Sequence, residues 1–106
     1  MVAPPRMTAS VLKVVSALLA EPGVERYGMQ LMQETGLASG TLYPILVRLE
    51  RAGWVAARWE DVDPAAAGRP GRRYYRLTPD GIAVARREIA AMHRQLTRAT
   101  GVTSPA

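Results

Sequence analysis

The 106-residue chain contains no cysteine, which removes disulfide frameworks, thiolate zinc sites and cysteine nucleophiles together. It has one histidine, His93, too few for a His-rich metal site or Ser-His chemistry. No nucleophile–base pair, metal-ligand cluster or phosphate-cradling glycine loop stands in the sequence, so an enzyme is not expected, and neither is a cofactor. Acids are in the minority: 9 against 14 basic residues leave a formal charge of +5. That balance favours a polyanionic partner, with nucleic acid the first candidate. The first 20 residues carry an apolar run, but Lys13 lies inside it and Ser16 interrupts it. The run is also too short to span a bilayer, so a cytoplasmic protein without membrane contact is expected. What is present, 48% hydrophobic and 22% charged residues, is the composition of an ordinary folded chain. Its length suits one domain and is too short for a barrel or a doubly wound nucleotide fold with a second domain.

Apolar periodicity predicts a helix over residues 8–20, with Val11, Leu12, Val14, Val15, Leu18 and Leu19, stopped by Pro22-Gly23. Apolar groups cover more than half its circumference, so it needs cover on two sides, from its own core and from a second chain. A short helix from Tyr27 to Thr35 follows, with Tyr27, Leu31 and Met32 inward and Gly36 as left-handed cap. Residues 24–26 are too few to assign, although a small edge strand would fit. A third helix opens within 37–41 and runs to about Ala52 before Gly53. Leu42, Ile45, Leu46 and Leu49 form its inward stripe; Thr41, Tyr43, Val47, Arg48 and Arg51 face outward. With Thr41 as N-cap, Pro44 falls in the first turn; with Ser39 as N-cap, one carbonyl is left unpaired. Both alternatives stand.

Residues 54–60 and 73–77 alternate as strands and predict a two-stranded hairpin around a Pro/Ala/Gly-rich loop. Val55, Ala57 and Trp59 share one strand face, and Trp54 and Trp59 read as packing residues of the hairpin. Of Tyr74 and Tyr75, one should face the core. Thr78, Pro79 and Asp80 read as N-cap, first-turn proline and first-turn acid of a last helix reaching about Ala99. On it Ile82, Ala85, Ile89, Met92, Leu96 and Ala99 form a heptad seam. The chain has little core left for so long a seam, which predicts a partner helix from a second copy. The expected dimerisation surface is Val11, Val15, Ile82, Ala85, Ile89, Met92 and Leu96. A small hydrophobic effector is expected, if anywhere, between subunits among Val11, Val15, Ile89 and Met92. His93 lies off the seam and reads as a solvated surface residue.

This order of elements predicts a mainly α fold with a two-stranded β-wing: a winged helix-turn-helix over residues 8–78, a C-terminal dimerisation helix over 79–100, and flexible termini at 1–7 and 101–106. The small, hydroxylic start of the third helix, Ser39, Gly40 and Thr41, lets a phosphate approach the helix N-terminus. Tyr43 is then placed either to reach a base edge or to pack over the preceding helix, and Arg48 either to hold a phosphate or to pair with an acid. Arg51 is expected to pair locally. Arg69, Arg72, Arg73 and Arg76 put four positive charges in eight residues with no acid among them, and Gly68, Pro70 and Gly71 let that loop turn sharply. A dimeric transcription regulator on double-stranded DNA is therefore expected; a winged-helix adaptor that binds protein without DNA is the alternative.

The segments SGTLYPILVRLE (residues 39–50) and RRYYRLTPDG (residues 72–81) resemble the PadR family of bacterial transcriptional regulators, and the resemblance runs from about Leu12 to Ile89. It implies a homodimer on a palindromic operator, acting as a repressor, with release by a small hydrophobic molecule in some members. By position, Ser39, Gly40, Thr41, Tyr43 and Pro44 correspond to the start of the recognition helix, Arg69 to Arg73 to the wing, and Pro79 to Ala99 to the dimerisation arm. The chain resembles the subgroup with a single C-terminal helix. Its last helix carries no aromatic residue, where drug-binding members stack a planar ligand.

Overall fold

A computed structural model describes residues 4–101 of the chain. Helix α1 (Ala9–Ala20) begins where the Thr8 hydroxyl accepts the Val11 N–H at 3.2 Å. Its i, i+3, i+4, i+7 series, Val11, Val14, Val15 and Leu18, faces inward and is at most 4% exposed. This corrects one expectation: Val11 and Val15 are enclosed by the chain's own core and present no side chain to a partner or a ligand. The opposite side of α1, with Leu12 half-buried and Lys13 and Ser16 exposed, is the one left open.

Strand β1 (Arg26–Tyr27) leads directly into α2 (Gly28–Thr35), where the Gln30 carboxamide oxygen accepts the Tyr27 N–H at 3.1 Å. Gly36, at φ 74°, ends α2 in the left-handed conformation. Helix α3 (Ser39–Arg51) places Leu42, Ile45, Leu46 and Leu49 against Leu31 and the α1 stripe to complete the core. Its N-cap is Ala38, so neither Ser39 nor Thr41 takes that role.

The hairpin strands β2 (Val55–Trp59) and β3 (Arg73–Leu77) pair antiparallel, with Ala57 opposite Tyr75 and Arg58 opposite Tyr74. The sheet has three strands rather than the expected two, in the order β1-β3-β2, because Arg26 and Tyr27 pair with Tyr75 and Tyr74. The inner face carries Val55, Tyr75 and Leu77, all buried, with Ala57 packed beside them. Arg26 on that face is 7% exposed and ion-paired to Glu34 at 3.0 Å and Glu21 at 3.5 Å. Trp54 is packed on the core as expected, whereas Trp59 is 64% exposed. The expected loop contains one helical turn, α4 (Pro64–Ala67), capped by the Asp63 carboxylate on the Ala65 N–H at 3.0 Å and ended by Gly68.

Helix α5 (Pro79–Thr100) starts on Thr78, whose hydroxyl accepts the Gly81 N–H at 3.1 Å and donates to the Gly53 carbonyl at 2.6 Å. Gly81 is buried directly against the Trp54 backbone. Ala85 is fully enclosed and Ile82 packs on the core, but Met92 and Leu96 are 37% and 57% exposed. The first half of the seam thus belongs to the chain's own core, and the second half projects. At 22 residues α5 is about 33 Å long. The radius of gyration, 15.7 Å, exceeds the roughly 13 Å of a compact domain this size. Residues 1–3 and 102–106 of the expected flexible termini lie outside the described residues; Met7 packs on the core and Gly101 caps α5. Among the described residues no helix is long and apolar enough to cross a membrane.

Candidate nucleic-acid interface

The N-terminal half of α3 stands open. Ser39, Gly40, Thr41, Tyr43, Pro44, Val47 and Arg48 are all exposed. Ala38 offers no capping side chain, and the N–H groups of Ser39 and Gly40 make no hydrogen bond among the described residues. Pro44, lacking an N–H, leaves the Gly40 carbonyl without its helical donor. This end therefore displays free donors, a free acceptor and two hydroxyls, with the positive end of the helix dipole behind them.

Arg48 Nε donates to the Pro44 carbonyl at 3.3 Å, and no carboxylate among the described residues lies within ion-pair range of it. Arg51, expected to pair locally, also has no such partner there, so both charges on this helix remain uncompensated. Tyr43 packs over the preceding helix and is still partly open to solvent. It is 41% exposed, and its ring lies against Gly28, where an added Cβ would come within 2.7 Å of the Tyr43 Cζ.

The wing is organised by a row of cross-strand neighbours on the outer face of the sheet. Arg58 lies over the Tyr74 ring at 5.1 Å, Tyr74 meets Tyr27 edge-on at 5.8 Å, and Arg72 stacks over Tyr27 at 4.3 Å. Arg58 is also paired to Glu25 at 2.7 Å, and this hydrogen bond raises its pKa. Glu60 is the hub of the wing base. Its two oxygens accept both arms of the Arg69 fork, at 2.7 and 3.0 Å, and the Arg72 N–H and Tyr74 hydroxyl reach it at 3.4 Å. The Arg69 hydrogen bonds, with the Arg72 N–H and both positive charges, pull the Glu60 carboxyl down to about 2.

The wing arginines therefore divide. Arg69 is engaged bidentately by Glu60, and Arg73 is held by Glu50 at 3.1 Å with Trp59 beneath it at 5.2 Å. Arg72 and Arg76 have no carboxylate within ion-pair range among the described residues. The Arg72 guanidinium is placed over the Tyr27 ring and has no carboxylate partner among the described residues.

Two grooves border these elements. One, of about 670 Å³, lies between the start of α2, Tyr43 and the wing, with Trp59 and Arg72 on its walls. The second, of about 890 Å³, lies along the open side of α1, lined by Leu12, Ser16, Ala17, the Arg26–Glu34 pair and Met92. Of the expected effector-pocket residues only Met92 reaches this groove. Sequence reasoning missed Leu12, Ser16 and Ala17; the signal was there, since residues 11, 14, 15 and 18 form the inward series by themselves and leave 12 and 16 outside. His93 is exposed, in line with its reading.

Residues 17–87 match the model of the transcriptional regulator PadR-like family. A PadR family transcriptional regulator from Eggerthella lenta is 30% identical, the match covering 84% of this chain and 79% of that one, with a TM-score of 0.63. The PcaV transcriptional regulator from Streptomyces coelicolor, solved in complex with its natural ligand, is 26% identical over 92% of this chain and 64% of that one, with a TM-score of 0.71. A PadR-like transcription factor from Bacteroides fragilis has a TM-score of 0.68 at 23% identity, over 86% and 85% of the two chains. No curated protein matches the sequence.

Proposed function

Because the chain belongs to the PadR-like family of transcriptional regulators, we propose that it acts as a homodimeric repressor reading a palindromic DNA operator. Residues 8–78 form the DNA-binding unit and 79–100 the dimerisation arm. The observation that carries this reading is the open start of α3, where unpaired N–H groups and the hydroxyls of Ser39 and Thr41 stand beside the uncompensated Arg48. Such an end accepts phosphate, and Tyr43 and the hydroxyls then face base edges in the major groove. Pro44 and Gly40 shape that end. Arg72 supplies a guanidinium from the wing, while Arg69 and Arg73 brace the wing through Glu60 and Glu50.

Dimerisation uses the projecting half of α5, Ile89, Met92 and Leu96, laid along the open side of a partner's α1; Ile82 and Ala85 anchor the arm to its own domain. The groove of about 890 Å³ beside Leu12 and Met92 is the place for a small hydrophobic effector. That PcaV was solved with its natural ligand supports ligand control. Selecting bound duplexes from a random DNA pool tests the reading. The expected motif is two-fold symmetric with half-sites one helical turn, about 34 Å, apart. Affinity should fall steeply with salt, because arginine contacts displace condensed counterions. Recovery of no motif, or binding indifferent to salt, would overturn it.

A further inference from the structure

Helix α3 carries a second regular series besides its buried stripe. Gly40, Pro44, Val47 and Arg51 run along the side opposite Leu42, Ile45, Leu46 and Leu49, and all four are exposed. Gly40 has no side chain, and nothing stands within 4 Å of where a Cβ would lie. Pro44 and Val47 have no side-chain donor or acceptor. Val47, 43% exposed, belongs neither to the core nor to the walls of the two grooves. As a β-branched residue it is also a poorer helix former than alanine, so the stability of the helix does not explain its place on this crest. The cations flanking it, Arg48 and Arg51, have no carboxylate within ion-pair range among the described residues.

An apolar point set between unpaired cations and facing away from the core suits one feature of a DNA duplex. The cations hold phosphates, and the crest, farthest from the core, is the part of α3 that goes deepest into the major groove. The base edges there are hydrogen-bonding atoms, apart from the 5-methyl group of thymine, which is the apolar element of the groove. A valine laid on the polar edge of another base would desolvate it and return no hydrogen bond. We infer that Val47 is a specificity-determining residue that reads the 5-methyl group of a thymine in each half-site. Selection is two-sided: the methyl is buried against the valine, and a cytosine or purine edge at that place is penalised. The inference rests on the DNA-binding reading and adds to it the identity of one base.

The test uses the whole chain and a duplex selected from an unmethylated random pool, in which a 5-methyl group belongs to thymine alone. Each thymine is replaced in turn by deoxyuridine, symmetrically in both half-sites, and affinity is measured by fluorescence anisotropy. The exchange removes the methyl and leaves every hydrogen-bonding atom in place. At one thymine pair the parent chain should lose about fourfold per half-site, or roughly fifteenfold for the pair, as for one methyl-sized group no longer buried. Val47→Ala lies on the exposed side of α3 and should keep the melting temperature of the parent. It should bind the thymine and deoxyuridine duplexes to within about twofold of each other, because the alanine no longer reaches the methyl. Two outcomes would sink the inference while leaving the DNA-binding reading in place: no thymine whose methyl matters to the parent chain, or a methyl effect as large in Val47→Ala as in the parent. If the pool yields no bound duplex, both fall together.

Discussion

Gly81→Ala isolates the contact that sets the direction of the α5 arm. In the structure an added Cβ at this position would overlap the Trp54 carbonyl group and lie 2.8 Å from its carbon and 3.0 Å from the Trp54 Cα. The obstacle is backbone, and Thr78 fastens that backbone from both sides: its N–H donates to the Trp54 carbonyl at 3.0 Å and its hydroxyl to Gly53 at 2.6 Å. No side chain can swing away to make room. Overpacking of this kind costs about 1–3 kcal/mol. Alanine in a helix recovers roughly 1 kcal/mol relative to glycine. Because the obstacle is backbone, the upper end of the overpacking range applies, and the net expectation is a loss of about 2 kcal/mol, which for a domain of this size lowers Tm by about 4–8 °C per kcal/mol.

Gly40→Ala is the internal control, because nothing stands within 4 Å of its Cβ position and it too lies in a helix. It should hold or slightly raise Tm. Thermal unfolding followed by circular dichroism, at one fixed protein concentration because a dimer's Tm depends on it, reads both variants. If Gly81→Ala melted at or above the parent chain, α5 would not be seated on Trp54 as described.

Other expectations follow from the same geometry. Arg48→Ala and Arg72→Ala should each reduce the slope of log affinity against log salt by about 1, as for one lost phosphate contact, in anisotropy titrations with a selected duplex; an unchanged slope removes that arginine from the interface. Leu96→Glu should raise the dimer dissociation constant about a hundredfold in sedimentation, since a leucine is withdrawn from both copies, while far-ultraviolet dichroism of the monomer is retained. The Glu60 carboxyl is held low by Arg69, so the wing brace is complete above the usual glutamate value near 4.5 and is lost as pH falls through about 2. A ¹³C titration of Glu60 with a midpoint near 4.5 would show that the Arg69 fork is not closed.

The features legible in the sequence are those decided within a few residues. The α3 stripe Leu42, Ile45, Leu46 and Leu49, the Thr78 cap with Pro79 behind it, and the left-handed Gly36 all depend on neighbours one or two turns away. The features that escaped depend on distant residues. A two-residue strand has no periodicity, and β1 exists only because Tyr74 and Tyr75 pair with it. Arg69 and Arg73 look like free cations in a basic loop until folding brings Glu60 and Glu50 to them. Val11 and Val15 are the exception: the series 11, 14, 15 and 18 marks the inward side of α1 locally.

The start of α3 departs from local preference in a way that bears on function. Ser39 and Thr41 are both good N-cap residues, yet the helix begins one residue before the first of them, on an alanine that cannot cap. A missing cap costs about 1 kcal/mol. Pro44 lies far enough into the helix to leave the Gly40 carbonyl without a donor, a second local cost. Neither is compensated by another contact among the described residues, because the Ser39 and Thr41 hydroxyls make no hydrogen bond there. A serine or aspartate at position 38 would have offered the Gly40 N–H a side-chain acceptor, which Ala38 does not. A helix end left incomplete within its own chain, exposed and beside unpaired arginines, becomes fully bonded only when an external group supplies acceptors for its N–H groups and a donor for its carbonyl. A DNA strand carries acceptors in its phosphates and both donors and acceptors on its base edges. The rule of local consistency fails here at the place where the DNA-binding reading requires it to fail.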